Sequence, residues 1–156
     1  MQIHDLISPG RVVCRLPATI KKKAMELISE LVSKEVSELS QNDIFTSLIS
    51  RERLGSTGLG HGVALPHGRV EGANSAFGAF VKLEEPIDYD AIDGNPVDLL
   101  FALIVPENST SEHLSILSQL AQMFSDETFT ATLRSAQSDQ QIYDLISNWK
   151  VEANSA

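Results

Sequence analysis

The chain has one cysteine in 156 residues, Cys14, so it can form no intramolecular disulfide and offers no cysteine pair for a zinc site. Basic residues are scarce as well. Twelve Lys and Arg stand against 21 Asp and Glu, a formal net charge of -9. Binding to nucleic acid depends on neutralising phosphates, so this balance argues against nucleic acid as a partner. The one basic run, Lys21-Lys22-Lys23, opens a helical pattern and reads as a solvated face. No apolar run approaches the ~18 residues of a membrane span. The first residues, "MQIHDLISPGRVVCRL", lack the basic region and apolar stretch of a secretory signal. The expectation is a soluble, cytoplasmic protein without membrane insertion. The phosphate-loop, dinucleotide and nucleophile-elbow patterns GxxxxGK[ST], GxGxxG and GxSxG are all absent.

What remains is an ordinary globular composition, with 42% hydrophobic and 21% charged residues. The length fits a single domain over residues 1–150, followed by a disordered tail at 151–156. Ile20, Ala24, Leu27, Ile28, Leu31 and Val32 recur at helical spacing and predict an amphipathic helix over 20–36. A second helix starts at Ser40, with Asp43 three residues on, and carries Ile44, Phe45, Leu48 and Ile49. The glycine-rich stretch "GSTGLGHG" ends it. "VALPH" suits a short strand that Pro66 confines to an edge or a bulge.

Phe77, Ala79, Val81 and Leu83 alternate onto one face of a further strand. "VDLLFALIV", residues 97–105, is nearly all apolar and predicts a strand covered on both faces. A third helix opens at "STSEHL", where Ser109 and Glu112 have capping-box spacing, and its stripe is Leu114, Leu117, Leu120, Ala121 and Phe124. A short helix over "ETFTATLRSA" and a last helix from Ser138, burying Ile142, Leu145, Ile146 and Trp149, complete the chain. The fold class is α/β: a mixed β-sheet sandwiched by helices on both faces.

Three places can carry chemistry. His67 lies among glycines, which let other groups approach closely, and an imidazole can attack phosphorus to form a phosphoramidate. It also fits an ordinary surface turn. His113 falls on the inward stripe of the third helix and in its first turn. The pattern favours a core histidine, with a phosphate contact beside free N–H groups as the alternative. Arg51 and Arg53 close the second helix, where a guanidinium can clamp phosphoryl oxygens or merely complement the helix dipole. His61, His67 and His113 could together hold a metal, but no acidic residue lies between 55 and 70 to complete the shell. No metal and no cofactor is expected. Cys14 sits in the apolar segment "VVCRL" and reads as a buried thiol.

The segment "LISRERLGSTGLGHGVALPHGR", residues 48–69, closely resembles the active-site segment of enzyme IIA proteins of the phosphotransferase system. The fructose/mannitol class is the one resembled, and within it the nitrogen-regulatory branch. The resemblance continues through "IDYDAIDGNPVDLLFALIVPENSTSEHLSILSQLA" and "LRSAQSDQQIYDLI", and spans about residues 3–148. It implies that the phosphorylated histidine is His67, that a second active-site histidine contacting the phosphoryl group is His113, and that the active-site arginine is Arg51. It implies the mannitol-type IIA fold, a phosphotransferase component rather than a metabolic catalyst, and a small histidine phosphocarrier, HPr or its nitrogen-branch counterpart, as donor. A chain without an attached permease or carrier domain resembles the stand-alone regulatory form, whose targets respond to phosphorylation state. A sugar-transport IIA passing the group to a IIB domain, and a non-catalytic binding module on the same fold, are the alternatives. One departure is His61, where relatives often carry asparagine or glutamate.

Overall fold

The computed structural model describes residues 2–109 and 111–149. The expected tail therefore lies outside the described residues, as do residue 110 and the side chain of Glu112, on which the expected capping box of the third helix depends. Six strands and five helices are present among them: β1 Val12–Leu16, α1 Lys21–Glu35, α2 Gln41–Glu52, β2 Gly58–Gly60, β3 Val63–Ala64, β4 His67–Val70, β5 Phe77–Ile87, β6 Val97–Pro106, α3 Ser111–Phe124, α4 Glu127–Ser135 and α5 Asp139–Asn148. The strands make one mixed sheet in the order β1-β5-β6-β3-β2, with β4 also beside β6.

Strand β6 is the axis of this sheet. It pairs antiparallel with β5 and parallel with β3 and β4. Its side chains alternate between two cores. Leu100, Ala102 and Ile104 join one, and Leu99, Phe101, Leu103 and Val105 join the other. Helices α1 and α2 cover the first face through Met25, Ile28, Val32, Ile44 and Leu48. Helices α3, α4 and α5 cover the second through Ile116, Leu120, Met123, Leu133, Ile142 and Ile146. Each such side chain buried contributes about 1.5–3 kcal/mol. This is the expected mixed sheet between two helical layers.

Local chemistry sets the helix starts. Ser40 Oγ accepts the N–H of Asp43, Asp126 caps Phe129, and Ser138 Oγ accepts the N–H of Gln141. The periodicity needs two corrections. Ile20 is 59% exposed because it is the residue before α1, not part of its buried stripe. Leu114 is 67% exposed: the inward face of α3 holds His113, Leu120 and Phe124 as expected, with Leu117 and Ala121 packed beside them, but Ile116 and Met123 complete it in place of Leu114. The sequence reading also misses β1, whose five residues pair with β5 and bury Cys14, and β2, which forms inside the glycine stretch. Both are too short for periodicity to register. The buried Arg11 ties the first residues down, donating to the carbonyls of Leu6 and Gly78 at 2.9 Å and pairing with Glu35 at 2.8 Å.

Candidate functional site

His67 opens β4 directly after a break in the chain's line along β6. Val63 pairs with Leu99 and His67 with Leu103, so the register is the same on both sides of the break. Between them lie Leu65 and Pro66. Proline has no N–H to give a ladder, and its own carbonyl accepts the Leu103 N–H at 2.9 Å. The interruption turns the Leu65 carbonyl toward the imidazole, whose Nδ1 donates to it at 2.7 Å. A carbonyl only accepts, so the ring proton is on Nδ1 and the Nε2 lone pair is free. Nε2 has no partner among the described residues and is not sealed from solvent.

Gly68 decides what stands next to that ring. A side chain there would run into Ser47 of α2, whose backbone carbonyl carbon would be 3.1 Å from the added Cβ. The bare glycine lets α2 lie against β4, and Ser47 Oγ donates to the Arg69 carbonyl at 2.9 Å. This contact brings the last turn of α2, with Arg51, to His67. Arg51 Nη1 donates to the Gly55 carbonyl at 2.8 Å, which aims the guanidinium and leaves its other donors available.

His113 arrives from the opposite helical layer. It lies in the first turn of α3, is 7% exposed, and its ring centroid is 5.4 Å from that of His67 at an interplanar angle of 61°. Its Nδ1 is sealed and has no hydrogen-bond partner among the described residues. Such a group costs about 1–3 kcal/mol, and a cost of that kind is tolerated where it serves a site.

Two clefts meet at His67 and Arg51. One of about 380 Å³ is completed by Ser47, Ser50, Leu54, Gly68, Arg69 and His113. The other, about 450 Å³, is lined by Thr57, Gly58, Leu59, Leu65, Leu114 and Leu117 among others. Burial holds both imidazoles below their ordinary value of 6.5. For His67, the Leu65 hydrogen bond opposes that shift, Arg51 reinforces it and Glu52 opposes it. For His113, the neighbouring His67 and then Arg69 reinforce it. Both rings are therefore neutral at pH 7. The arrangement presents a free imidazole nitrogen flanked by guanidinium donors, chemistry suited to nucleophilic attack on an anionic electrophile.

The structure thus brings His67, His113 and Arg51 together, and it leaves Arg53 outside both clefts. His61 is also elsewhere. It is exposed with φ 56°, its N–H donates to Asp93 and its carbonyl accepts from Arg134 at 2.9 Å. Among the described residues, no group of three or more His, Cys, Asp or Glu is placed to hold a metal ion. The sequence reading gives no role at this site to Arg69, Glu52 or Lys21. Arg69 lines the first cleft. Glu52 is buried: its side chain is 5% exposed, accepts the Thr57 N–H at 3.2 Å and the Tyr89 hydroxyl at 3.1 Å, and pairs with Lys21 at 2.8 Å. Lys21 is correspondingly not part of a solvated run; its Nζ lies 4.2 Å from the centre of the Tyr89 ring, and only Lys22 and Lys23 are exposed.

A further cleft of about 740 Å³ is away from His67 and His113 and has a structural explanation. Lys82 Nζ donates to the carbonyls of Leu133, Arg134 and Ala136 at the end of α4. Arg134 grips Asp98 through Nε and Nη2, and a Cβ at Gly62, whose φ is +80°, would be 2.5 Å from its Nη2.

Comparisons with known proteins show the family to which the chain belongs. Residues 5–149 match the family described as phosphoenolpyruvate-dependent sugar phosphotransferase system, EIIA 2. The chain is 49% identical to a nitrogen regulatory protein of Klebsiella oxytoca, covering 94% of this chain and 90% of that one. It is 42% identical to the nitrogen regulatory protein of Pseudomonas aeruginosa, covering 94% and 95%. The solved nitrogen regulatory protein IIA-Ntr of Neisseria meningitidis superposes with a TM-score of 0.87 at 42% identity, over 92% of this chain and 98% of that one. The Escherichia coli IIA mannitol structure shares the fold, with a TM-score of 0.75 at 20% identity over 90% and 98%. Among the described residues no helix is long and apolar enough to cross a membrane. The chain belongs to the EIIA type 2 family of the phosphotransferase system, and its relatives at 42–49% identity are nitrogen regulatory proteins.

Proposed function

We propose that this protein is a phosphohistidine carrier of the nitrogen-regulatory type, which accepts a phosphoryl group on His67 Nε2 from an HPr-like histidine phosphocarrier. The observation that carries the reading is the 2.7 Å hydrogen bond from His67 Nδ1 to the Leu65 carbonyl, which leaves Nε2 as the free nitrogen beside Arg51 and His113. In the transfer, the N–P bond of the donor phosphohistidine breaks as the Nε2–P bond forms, and the donor nitrogen recovers its lone pair. The Nδ1–H stays on its carbonyl throughout. Arg51, Arg69 and His113 stabilise charge on the transferring oxygens, and His113 takes up a proton more readily once the phosphoryl group is beside it. The cytoplasm, where such a carrier would meet its donor, is the corresponding location.

Regulation follows from charge. A phosphoryl group adds about -1.5 to -2 charges to a face that also exposes Leu54, Leu59 and Leu114. Seating a partner over it then requires desolvating a dianion, so target proteins bind the unphosphorylated form. A sugar-transport role is the second reading, favoured by 31% identity to a Haloferax volcanii PTS system fructose-specific EIIA component over 83% of this chain. The decisive test is incubation with a phosphorylated carrier followed by mapping of the label. The label should be acid-labile, lie on His67 and vanish in His67→Ala. Undiminished labelling of that variant refutes the reading.

A further inference from the structure

The buried charge network beneath the glycine stretch has no part in transfer as described above, yet it connects to the reacting ring without a break. Lys21 Nζ pairs with Glu52 Oε1 at 2.8 Å. Glu52 accepts both the backbone N–H and the hydroxyl of Thr57. The Thr57 carbonyl accepts the Leu65 N–H at 3.0 Å. Leu65 in turn offers the carbonyl that holds His67 Nδ1. From these contacts we infer that Glu52 is a positioning residue for phosphoryl transfer: through Thr57 and the Leu65 backbone it fixes the His67 tautomer with Nε2 unprotonated. The inference rests on the proposed role of His67 as acceptor.

The mechanical argument is that Leu65 and Pro66 form a break in the sheet, where ladder bonds cannot hold the carbonyl. On one side of the break the Pro66 carbonyl is fixed by Leu103 of the central strand. On the other side, among the described residues, the Leu65 N–H is held by the Thr57 carbonyl, just before a short glycine-rich strand that α2 must anchor. Glu52 is that anchor. Its position in the last turn of α2 ties the same helix turn that carries Arg51 to the strand that orients His67. A carboxylate suits this task because it accepts several hydrogen bonds at once, and Tyr89 takes a further place on it at 3.1 Å. A buried carboxylate needs a cation, and Lys21 reaches in from α1 to supply it. Which ring nitrogen of a histidine keeps the proton is set by the hydrogen bond the other makes, so loosening Leu65 frees the ring to place its proton on Nε2 and block attack.

Nitrogen-15 NMR of the His67 ring reads the tautomer directly, in the whole protein and without any phosphoryl donor. Wild type should show the Nδ1–H form. Glu52→Gln keeps the shape but loses the charge, and Thr57→Val removes the hydroxyl while keeping the backbone; both should show a mixed population. Thr57→Ser should restore the wild-type spectrum. Labelling rates at pH 7.5 should fall up to about 100-fold in the first two variants and recover in the third, the size expected when a reacting group is misplaced. The rate-against-pH curve should also move, with Arg51 and Glu52 of α2, Arg69 of β4 and His113 of α3 as the other charged or titratable groups facing His67. Circular dichroism identifies any variant that fails to fold, and Thr57→Val is the milder of the pair. Folded variants that keep the Nδ1–H form and wild-type rates overturn the inference. A wild type that takes no label refutes the acceptor reading instead, and the tautomer measurement still decides the role of Glu52.

Discussion

Replacing Arg51 by alanine removes two things at once. The guanidinium has five N–H donors, of which one on Nη1 is committed to the Gly55 carbonyl at 2.8 Å. The rest have no partner among the described residues, and Arg51 lines both clefts that His67 lines. If those donors stabilise the transferring phosphoryl, their loss should raise the barrier by about 2.7–4 kcal/mol, or about 100- to 1000-fold in rate. The same cation helps to hold the His67 imidazole below 6.5, so its removal should also raise the His67 titration midpoint. Arg51→Lys keeps a charge but loses the planar fork, and should fall between the two in rate. The rate is read by rapid-quench labelling from a phosphorylated carrier, and the midpoint by NMR titration of the unphosphorylated protein. A rate within twofold of wild type, with an unmoved midpoint, would refute an electrostatic role for Arg51 and reduce it to a tether for Gly55.

Other outcomes follow from the same geometry. His113→Ala should slow labelling about 100-fold or more while thermal melting shows the fold intact; an unchanged rate would make His113 a packing residue. Gly68→Ala should cost about 1–3 kcal/mol of stability through overpacking against Ser47, and it should slow transfer because α2 must back away from His67; urea midpoints equal to wild type would show that the contact is soft. The two depressed histidines also make stability depend on pH. Their folded values lie below 6.5 while the unfolded chain protonates near 6.5, so their contribution is complete above that pH. It falls as pH drops through 6.5 toward the lower folded values, then levels off. A His67→Gln, His113→Gln double variant should lose less stability than wild type between pH 7.5 and 5.5 in urea titrations, and an equal loss would contradict the burial argument.

Much of this protein is legible without coordinates because its signals are local. A serine or aspartate cap acts within one turn, so Ser40 and Ser138 mark helix starts in the sequence as they do in the structure. The nearly all-apolar run at 97–105 predicts a strand covered on both sides, and β6 is the axis of the sheet. The long segment ending in PHG identifies the family by likeness alone. By contrast, β1 and β2 exist because neighbouring strands offer them hydrogen bonds, and five or three residues carry too little pattern to announce that.

The site divides along the same line. The sequence by itself determines that a proline precedes His67 and a glycine follows it. Proline takes one N–H out of the ladder beside the histidine, and glycine leaves room for a helix. Only the tertiary structure decides which residues fill that room. Arg51, Arg69, His113 and the carbonyl of Leu65 come from different elements, and their meeting depends on how two helical layers close on opposite faces of one sheet. Glu52 and Lys21 are the clearest case. In the sequence they are two ordinary charged residues on amphipathic helices, and burial alone makes them a pair, because a carboxylate withdrawn from water must find a cation and hydrogen-bond donors within reach.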